Sequence, residues 1–441
     1  MIRELAGMAV SIALCPFSMA QTPSPAQTTA QTQTAGMVLT LSDALVRAKA
    51  NSPQFQAALS EMGLAREDRY QARAALLPGV DYNNSFIYTQ GNGTASGRYI
   101  GNNGVHEYIS QGVGHETLGP TEVLEYQRAA AAHALTKARA EIAARGLNVT
   151  VVNLFYGLLA AQARSLNAER ANNEGQHFLD LSRKLEEGGE VAHSDTIKAQ
   201  LQASDLKRAW DDARLAEQNV RLELAVLIFP SSFQDFTLVN DLAAAPSLPP
   251  LTVLTDMAAK NNPELQAAFA SLNLANKEVG VARAGYLPSL SVEMFYGIDA
   301  AQFATRGPNG IENLGYAGVA TLNIPIWNWG AQQSKVRQAE LQRHQAQVEL
   351  SAAQRQAVAD LQSFYSEAQV AYEHLQTLKQ STELAEQSLH LTNLRYQAGE
   401  ASALEVVDAQ NTLTGAGNNY SEGEVRYHVA LANLQTLTGT F

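Results

Sequence analysis

An internal duplication constrains this chain more than any other feature. Shifted by 210 residues, Asn51, Pro53, Gln56, Ala57, Ala58, Leu64, Ala65, Ala72, Arg73, Ala74, Leu77 and Pro78 meet identical residues between Asn261 and Pro288. These are 12 identities in 28 positions, far above chance. The register holds to the end: Phe155 meets Tyr365, Leu181 meets Leu391, and Leu224 and Leu227 meet Leu434 and Leu437. One offset over such a span means a unit written twice, and a period this long excludes a solenoid of short repeats.

Each copy reads in the same order. A helix starts near Ser42 and near Thr252, with Ser42 and Thr255 as candidate caps. Pro53 and Pro263 should kink or restart it, and it ends before Pro78 and Pro288. Val80, Tyr82, Phe86 and Tyr88 then alternate along a strand, as do Leu290, Val292, Met294, Tyr296 and Ile298. Loops follow at Gly91–Gly104 and Asp299–Gly315, then second strands near Val105–Val113 and Tyr316–Ile324. The hairpins thus span about 79–114 and 289–325. Very long helical segments occupy about 120–186 and 330–397, each about 100 Å at 1.5 Å per residue. Their apolar residues step by four and three, as in Leu147, Val151, Leu154 and Leu158, or Leu361, Tyr365, Ala368, Tyr372 and Leu375. A break at Gly189-Glu190, repeated at Gly399-Glu400, precedes a return helix of roughly 35 residues ending near Ile228 or Leu437. The copies are residues 39–228 and 251–441, joined by a proline-bearing linker, 229–250.

The chain of 441 residues is 46% hydrophobic and carries a formal charge of −12, which argues against a nucleic-acid partner. Residues 1–20 read as a signal peptide: Arg3 opens it, an apolar run follows, and Ser18-Met19-Ala20 offers a cleavage site. Residues 21–38 read as a flexible leader. Cys15, the single cysteine, would be lost on cleavage after Ala20; lipidation at Cys15 is the alternative. No later stretch has 18 consecutive apolar residues, so any membrane insertion must use strands. Two hairpins supply four strands, too few to close a barrel, and an open edge is not tolerated in lipid. Several chains must therefore share one barrel. The competing reading is a secreted coiled-coil adaptor or scaffold without a pore.

The chain resembles the TolC-like family of outer membrane efflux proteins. The resemblance rests on the duplication, on Ala-Arg-Ala ahead of Leu-Pro before each first strand, and on Arg395, Tyr396, Gly399, Glu405, Asp408, Ala409 and Gln410. It implies a mixed, mainly helical fold. A homotrimer would form a 12-stranded barrel in the outer membrane, four strands per chain, continued by a helical barrel in the periplasm. It also implies passive conduction with no catalysis and no cofactor, a periplasmic adaptor and an inner-membrane transporter as partners, and contact with outer-membrane lipid.

Several residues are candidates for function. Gly189, Glu190, Gly399 and Glu400 match the family's tips, where the adaptor docks, and glycine suits a tight helix-to-helix turn. Glu405 and Asp408 match an acidic ring in some members; they share a helix face and, repeated around an axis, would favour cations. The same residues could instead stabilise the N-terminus of the helix that starts there. Asp195 and Lys198 are their counterparts in the first copy, where Lys198 could latch the two tips together or partly neutralise the ring. Tyr396 matches a residue that helps lock the closed state. Ala401 stands where some members have a basic residue. Trp327 and Trp329 sit at a strand-to-helix junction, as in an interfacial aromatic belt. A metal site at His106-Glu107 and His115-Glu116 is less favoured than a solvated strand pair.

Overall fold

The computed structural model describes residues 37–88, 106–230, 235–242, 246–308 and 310–440. The signal and leader expected over residues 1–36, Cys15, and the loop from Gly91 to Gly104 lie outside them. In chain order the first copy contains β1 (Met37–Leu39), α1 (Leu41–Asn51), α2 (Pro53–Ala74), β2 (Gly79–Tyr88), β3 (His106–Leu118), α3 (Pro120–Glu187) and α4 (His193–Ile228). After β4 (Phe236–Leu238), the second copy repeats α5 (Leu251–Asn261), α6 (Pro263–Ala284), β5 (Ser289–Ala300), β6 (Leu314–Asn323), α7 (Ala331–Gln397) and α8 (Ala403–Thr438).

The helix breaks follow backbone chemistry. Pro53 and Pro263 each occupy the first turn of a new helix, where a missing N–H costs nothing, and Ser52 and Asn262 cap those turns. The expected caps at the starts of the copies were misplaced. Thr40 caps α1 in a capping box with Asp43, and Ser42 lies inside that helix. Thr255 lies inside α5, where its hydroxyl donates to the Leu251 carbonyl at 2.8 Å.

Helix α3 has 68 residues and α7 has 67, so each is about 100 Å long. Alongside α3 pack the shorter α2 and α4, with α1 beside the end of α4. The joint is closed by Asn51, whose Nδ2 donates to the carbonyl of Ile228, the last residue of α4, at 2.8 Å. In the second copy Arg145 of α3 does this work, its Nη1 donating to the carbonyls of Asn261 and Thr436 at 3.0 Å each. The main core lies at this joint: Val151, Phe155 and Leu158 of α3 are fully buried with Leu224 and Ile228 of α4 and Ala44 and Ala48 of α1. Each such large side chain contributes about 1.5–3 kcal/mol by leaving water. Leu361 and Ala368 are likewise buried in a second cluster, whereas Tyr372 is exposed.

The linker is more ordered than its prolines suggest. β1 and β4 pair in parallel, Met37 opposite Phe236 and Leu39 opposite Leu238. His428 and Tyr156 stack at 4.1 Å; His428 Nε2 donates to the Leu242 carbonyl at 3.0 Å, and Tyr156 donates to Asp241 at 3.4 Å. Burial, with the Asp241 charge, pushes the Tyr156 hydroxyl up to about 12, so it stays a donor. α3 contains an 18-residue window apolar enough to cross a bilayer by length and composition. Its apolar stretch from Leu147 to Leu159 instead belongs to this core.

The four long strands form one antiparallel sheet in the order β2-β3-β5-β6. β3 runs to Leu118, beyond the expected end at 114, because Glu116 and Leu118 find partners in Val292 and Leu290 of the second copy. Hydrogen bonding between the two hairpins thus extends a strand whose own hairpin partner, β2, begins only at Gly79, opposite His115.

Candidate functional site

Function is concentrated at the two ends of the helical pile. At one end the sheet sorts its residues by face. Paired residues of an antiparallel ladder share a face. Register therefore places Val80, Tyr82, Phe86 and Tyr108 together with Leu118, Leu290, Val292, Met294, Tyr296, Ile298, Leu314, Tyr316 and Leu322. The opposite face carries Asp81, Asn83, Ser85, Gln111, His115, Thr117, Glu293 and Asp299, interspersed with Ile109, Val113, Phe295 and Val319. Polar Asn84, Ser110 and Glu116 lie on the mainly apolar face, where Asn84 and Ser110 are opposite one another and Ser110 bonds the Tyr82 hydroxyl at 2.7 Å. The strands have 10 to 13 residues, enough for tilted bilayer crossings. Val80, Tyr82, Tyr296 and Tyr316 are all exposed, so among the described residues nothing covers this part of the apolar face.

Trp327 and Trp329 lie between β6 and α7, 75% and 89% exposed, with rings edge to face at 5.8 Å. Trp329 takes φ 54°, a left-handed conformation that a large side chain rarely adopts. His115 sits 3.5 Å from Asp81 across the first hairpin. Among the described residues no group of acidic, histidine or cysteine side chains could hold a metal ion.

At the far end, two tips share one backbone design. Gly189 and Gly399 take φ 76° and 74°, and the N–H groups of Glu190 and Glu400 reach back to the carbonyls of Leu185 and Arg395 at 2.8 Å. This six-to-one closure ends a helix through a left-handed glycine. The side chains then differ. In the second tip Ser402 caps α8: its N–H and hydroxyl both donate to Glu405 at 3.1 Å, and Glu405 N–H returns to the Ser402 oxygen at 3.4 Å. Those donors, the Ser402 N–H foremost, hold the Glu405 carboxyl below its usual range; Arg395, 3.4 Å away, adds to the effect. The first copy has Ala192 at the equivalent position and no side-chain cap; Glu186 and His193 close that tip at 2.7 Å.

Glu405 makes the contacts of a helix cap with Ser402. Asp408, one turn on, is exposed and makes no hydrogen bond or ion pair among the described residues. Lys198 does not latch the tips: it pairs with Asp195 of its own helix at 3.1 Å. The i,i+3 spacing puts that partner in reach within one helix. Ala401 is half-buried beside the tip core.

Tyr396 is 2% exposed, and its hydroxyl lies 2.9 Å from Ser182 Oγ on α3. Its ring packs on Phe178 at 5.1 Å and joins a small core with Ala199, Ala203, Ala403 and Val406. Ser182 and Phe178 were not among the residues expected from sequence. A serine four residues after a phenylalanine in a long helix carries no signal of its own, and its importance comes from the neighbour 214 positions away.

An exposed apolar sheet face at one end of paired hundred-ångström helices, with glycine-turned tips at the other, defines an outer-membrane channel with a periplasmic helical tube. Known proteins agree. Residues 254–440 match the family model for outer membrane efflux proteins. Alkaline protease secretion protein AprF of Pseudomonas aeruginosa is 24% identical over 88% of this chain and 82% of its own. Outer membrane protein TolC of Escherichia coli is 23% identical over 89% and 81%. The Campylobacter jejuni CmeC outer membrane channel superposes with a TM-score of 0.79, 16% identity, and coverage of 90% and 85%. The second copy thus matches the outer membrane efflux protein family, and the chain as a whole is similar to outer-membrane export channels.

Proposed function

We propose that three copies of this chain form one exit duct, conducting solutes passively from an inner-membrane transporter to the exterior. The observation that carries this reading is the sheet. Among the described residues its outer strands, β2 and β6, each have one hydrogen-bonded neighbour, and much of its apolar face is exposed. Four strands cannot remove those edges, whereas twelve from three chains close a barrel with lipid outside and a polar lumen. Trp327 and Trp329 then mark the headgroup boundary.

The tips form the periplasmic aperture. Gly189, Glu190, Gly399 and Glu400 present the turns to a periplasmic adaptor. Three copies of Asp408 ring the passage, with Glu405 supporting the helix that carries them. Asp195 of the first tip is paired with Lys198, whereas Asp408 has no such partner among the described residues. Tyr396 and Ser182 hold α7 against α3 and with it the closed aperture. The chain acts as a conduit without catalysis; transporter and adaptor select the cargo. A pore-free scaffold has no use for an uncovered apolar sheet face.

Planar-bilayer recording on purified protein tests the assignment. Discrete, cation-preferring conductance steps are expected. A preparation that inserts and never conducts would overturn it.

A further inference from the structure

We propose that Arg69 and Arg73 of α2, with Tyr126 of α3, hold the phosphate of an anionic phospholipid in the periplasmic leaflet of the outer membrane. This rests on the sheet lying in that membrane. α2 ends at Ala74 and β2 begins at Gly79, so Arg73 lies in the last turn before the strand and Arg69 one turn below. Tyr126 is six residues into α3, about 9 Å below its start. Headgroups occupy about 5–8 Å beyond the hydrocarbon, and arginine side chains extend toward that layer.

The site is a cleft of about 380 Å³ lined by Arg66, Glu67, Arg69, Tyr70, Arg73 and Tyr126. Arg69 Nη2 donates to the Tyr126 hydroxyl at 3.3 Å, and its guanidinium stands 5.9 Å from that ring's centre. The Arg69 hydrogen bond, then its charge with a smaller part from Arg73, pulls the Tyr126 hydroxyl below its usual range. Three arginines and one carboxylate, that of Glu67, line the cleft in a chain of net charge −12. Arg66 has a loose neighbour in Glu67 at 3.9 Å; among the described residues neither Arg69 nor Arg73 forms an ion pair.

The duplication supplies an internal control. α6 repeats α2 in the same scaffold, yet Asn276, Val279 and Gly280 replace Arg66, Arg69 and Tyr70. The one retained arginine, Arg283, is neutralised by Glu340 at 2.7 Å, and Lys277, which replaces Glu67, donates to Gln127 at 2.9 Å. A basic residue in the last turn of a helix is favourable in itself, which accounts for Arg73 and Arg283 but not for Arg69. Packing therefore does not demand the unpaired charge of the first copy. Guanidinium groups offer planar donors matched to phosphate oxygens. Tyr70 and Leu77, 67% and 65% exposed, add apolar surface beside them for the glycerol and upper acyl region.

The test is native mass spectrometry of the detergent-purified oligomer, offered phosphatidylglycerol or phosphatidylethanolamine. The wild type is expected to keep phosphatidylglycerol in several-fold excess, about one molecule per chain, and the Arg69→Gln/Arg73→Gln variant to lose that excess. Equal retention of both lipids by the wild type, or an unchanged excess in the variant, overturns the proposal. So does dissociation of the variant oligomer, which would assign these arginines to contacts between chains. Bilayer conductance of the same wild-type preparation reports insertion separately: a conducting protein with no lipid preference defeats this inference alone.

Discussion

The Tyr396 hydroxyl meets Ser182 Oγ at 2.9 Å in a buried contact between α7 and α3, the long helices of the two copies. It lies close to both tips, in a small core shared by α3, α4, α7 and α8. Ser182 also donates to the Phe178 carbonyl, so it keeps one partner if the tyrosine is lost. Tyr396→Phe should therefore cost about 1 kcal/mol of stability. The same loss should raise the open probability of single channels. Unaltered gating with the expected fall in stability would make this bond structural only.

The capping box at the second tip carries a pH signature. The folded protein holds Glu405 below its ordinary value of 4.5. Its contribution is therefore complete above that value and is lost as pH falls through the lower, folded-state pKa. Amides in the first turn of α8 should exchange faster with deuterium at pH well below 4.5. Ser402→Ala should cost about 1 kcal/mol, or roughly fivefold faster exchange near neutral pH. A first turn of α8 indifferent to both changes would show that the box does not hold the tip.

Asp408 and Glu405 should separate in selectivity measurements. Asp408→Asn removes a free carboxylate from each chain and should lower the cation-to-anion permeability ratio several-fold. Glu405→Gln removes a carboxylate already occupied by Ser402 and Arg395 and should change that ratio less. Reversal potentials in a salt gradient measure both. The opposite order would move the selectivity role to Glu405.

The two faces of the sheet predict opposite tolerance to charge. Tyr296→Arg, on the apolar face, should destabilise the inserted protein by about 2–4 kcal/mol near the bilayer midplane. Asn83→Arg, on the other face, should leave it folded and alter conductance. Urea titration in lipid vesicles gives the first quantity; equal costs at the two positions would contradict the lumen and lipid assignments.

Much of the fold was legible because its signals are local or repeated. Proline at a first turn, period-two alternation in β5 and glycine at each tip act through the backbone of a few residues. The 210-residue offset then carried each assignment from one copy to the other. What escaped depends on distant partners. The β1–β4 pair is three residues a side and has no periodicity to read. β3 was cut short because its last residues pair with β5 of the other copy. At the tips, sequence showed that Glu405 and Asp408 share a helix face but not that Ser402 claims the first. It offered Lys198 as a latch, when a nearer carboxylate, Asp195, takes it. Ser182 was invisible until Tyr396 was seen beside it.

The central claim is that several chains must close one barrel. The mass of the detergent-extracted protein, measured by light scattering with the detergent contribution subtracted, tests it most directly. Three chains per particle are predicted, with separation into single chains only on unfolding. A folded particle containing one chain would contradict the account, since four strands would then have to stand in lipid with both edges open.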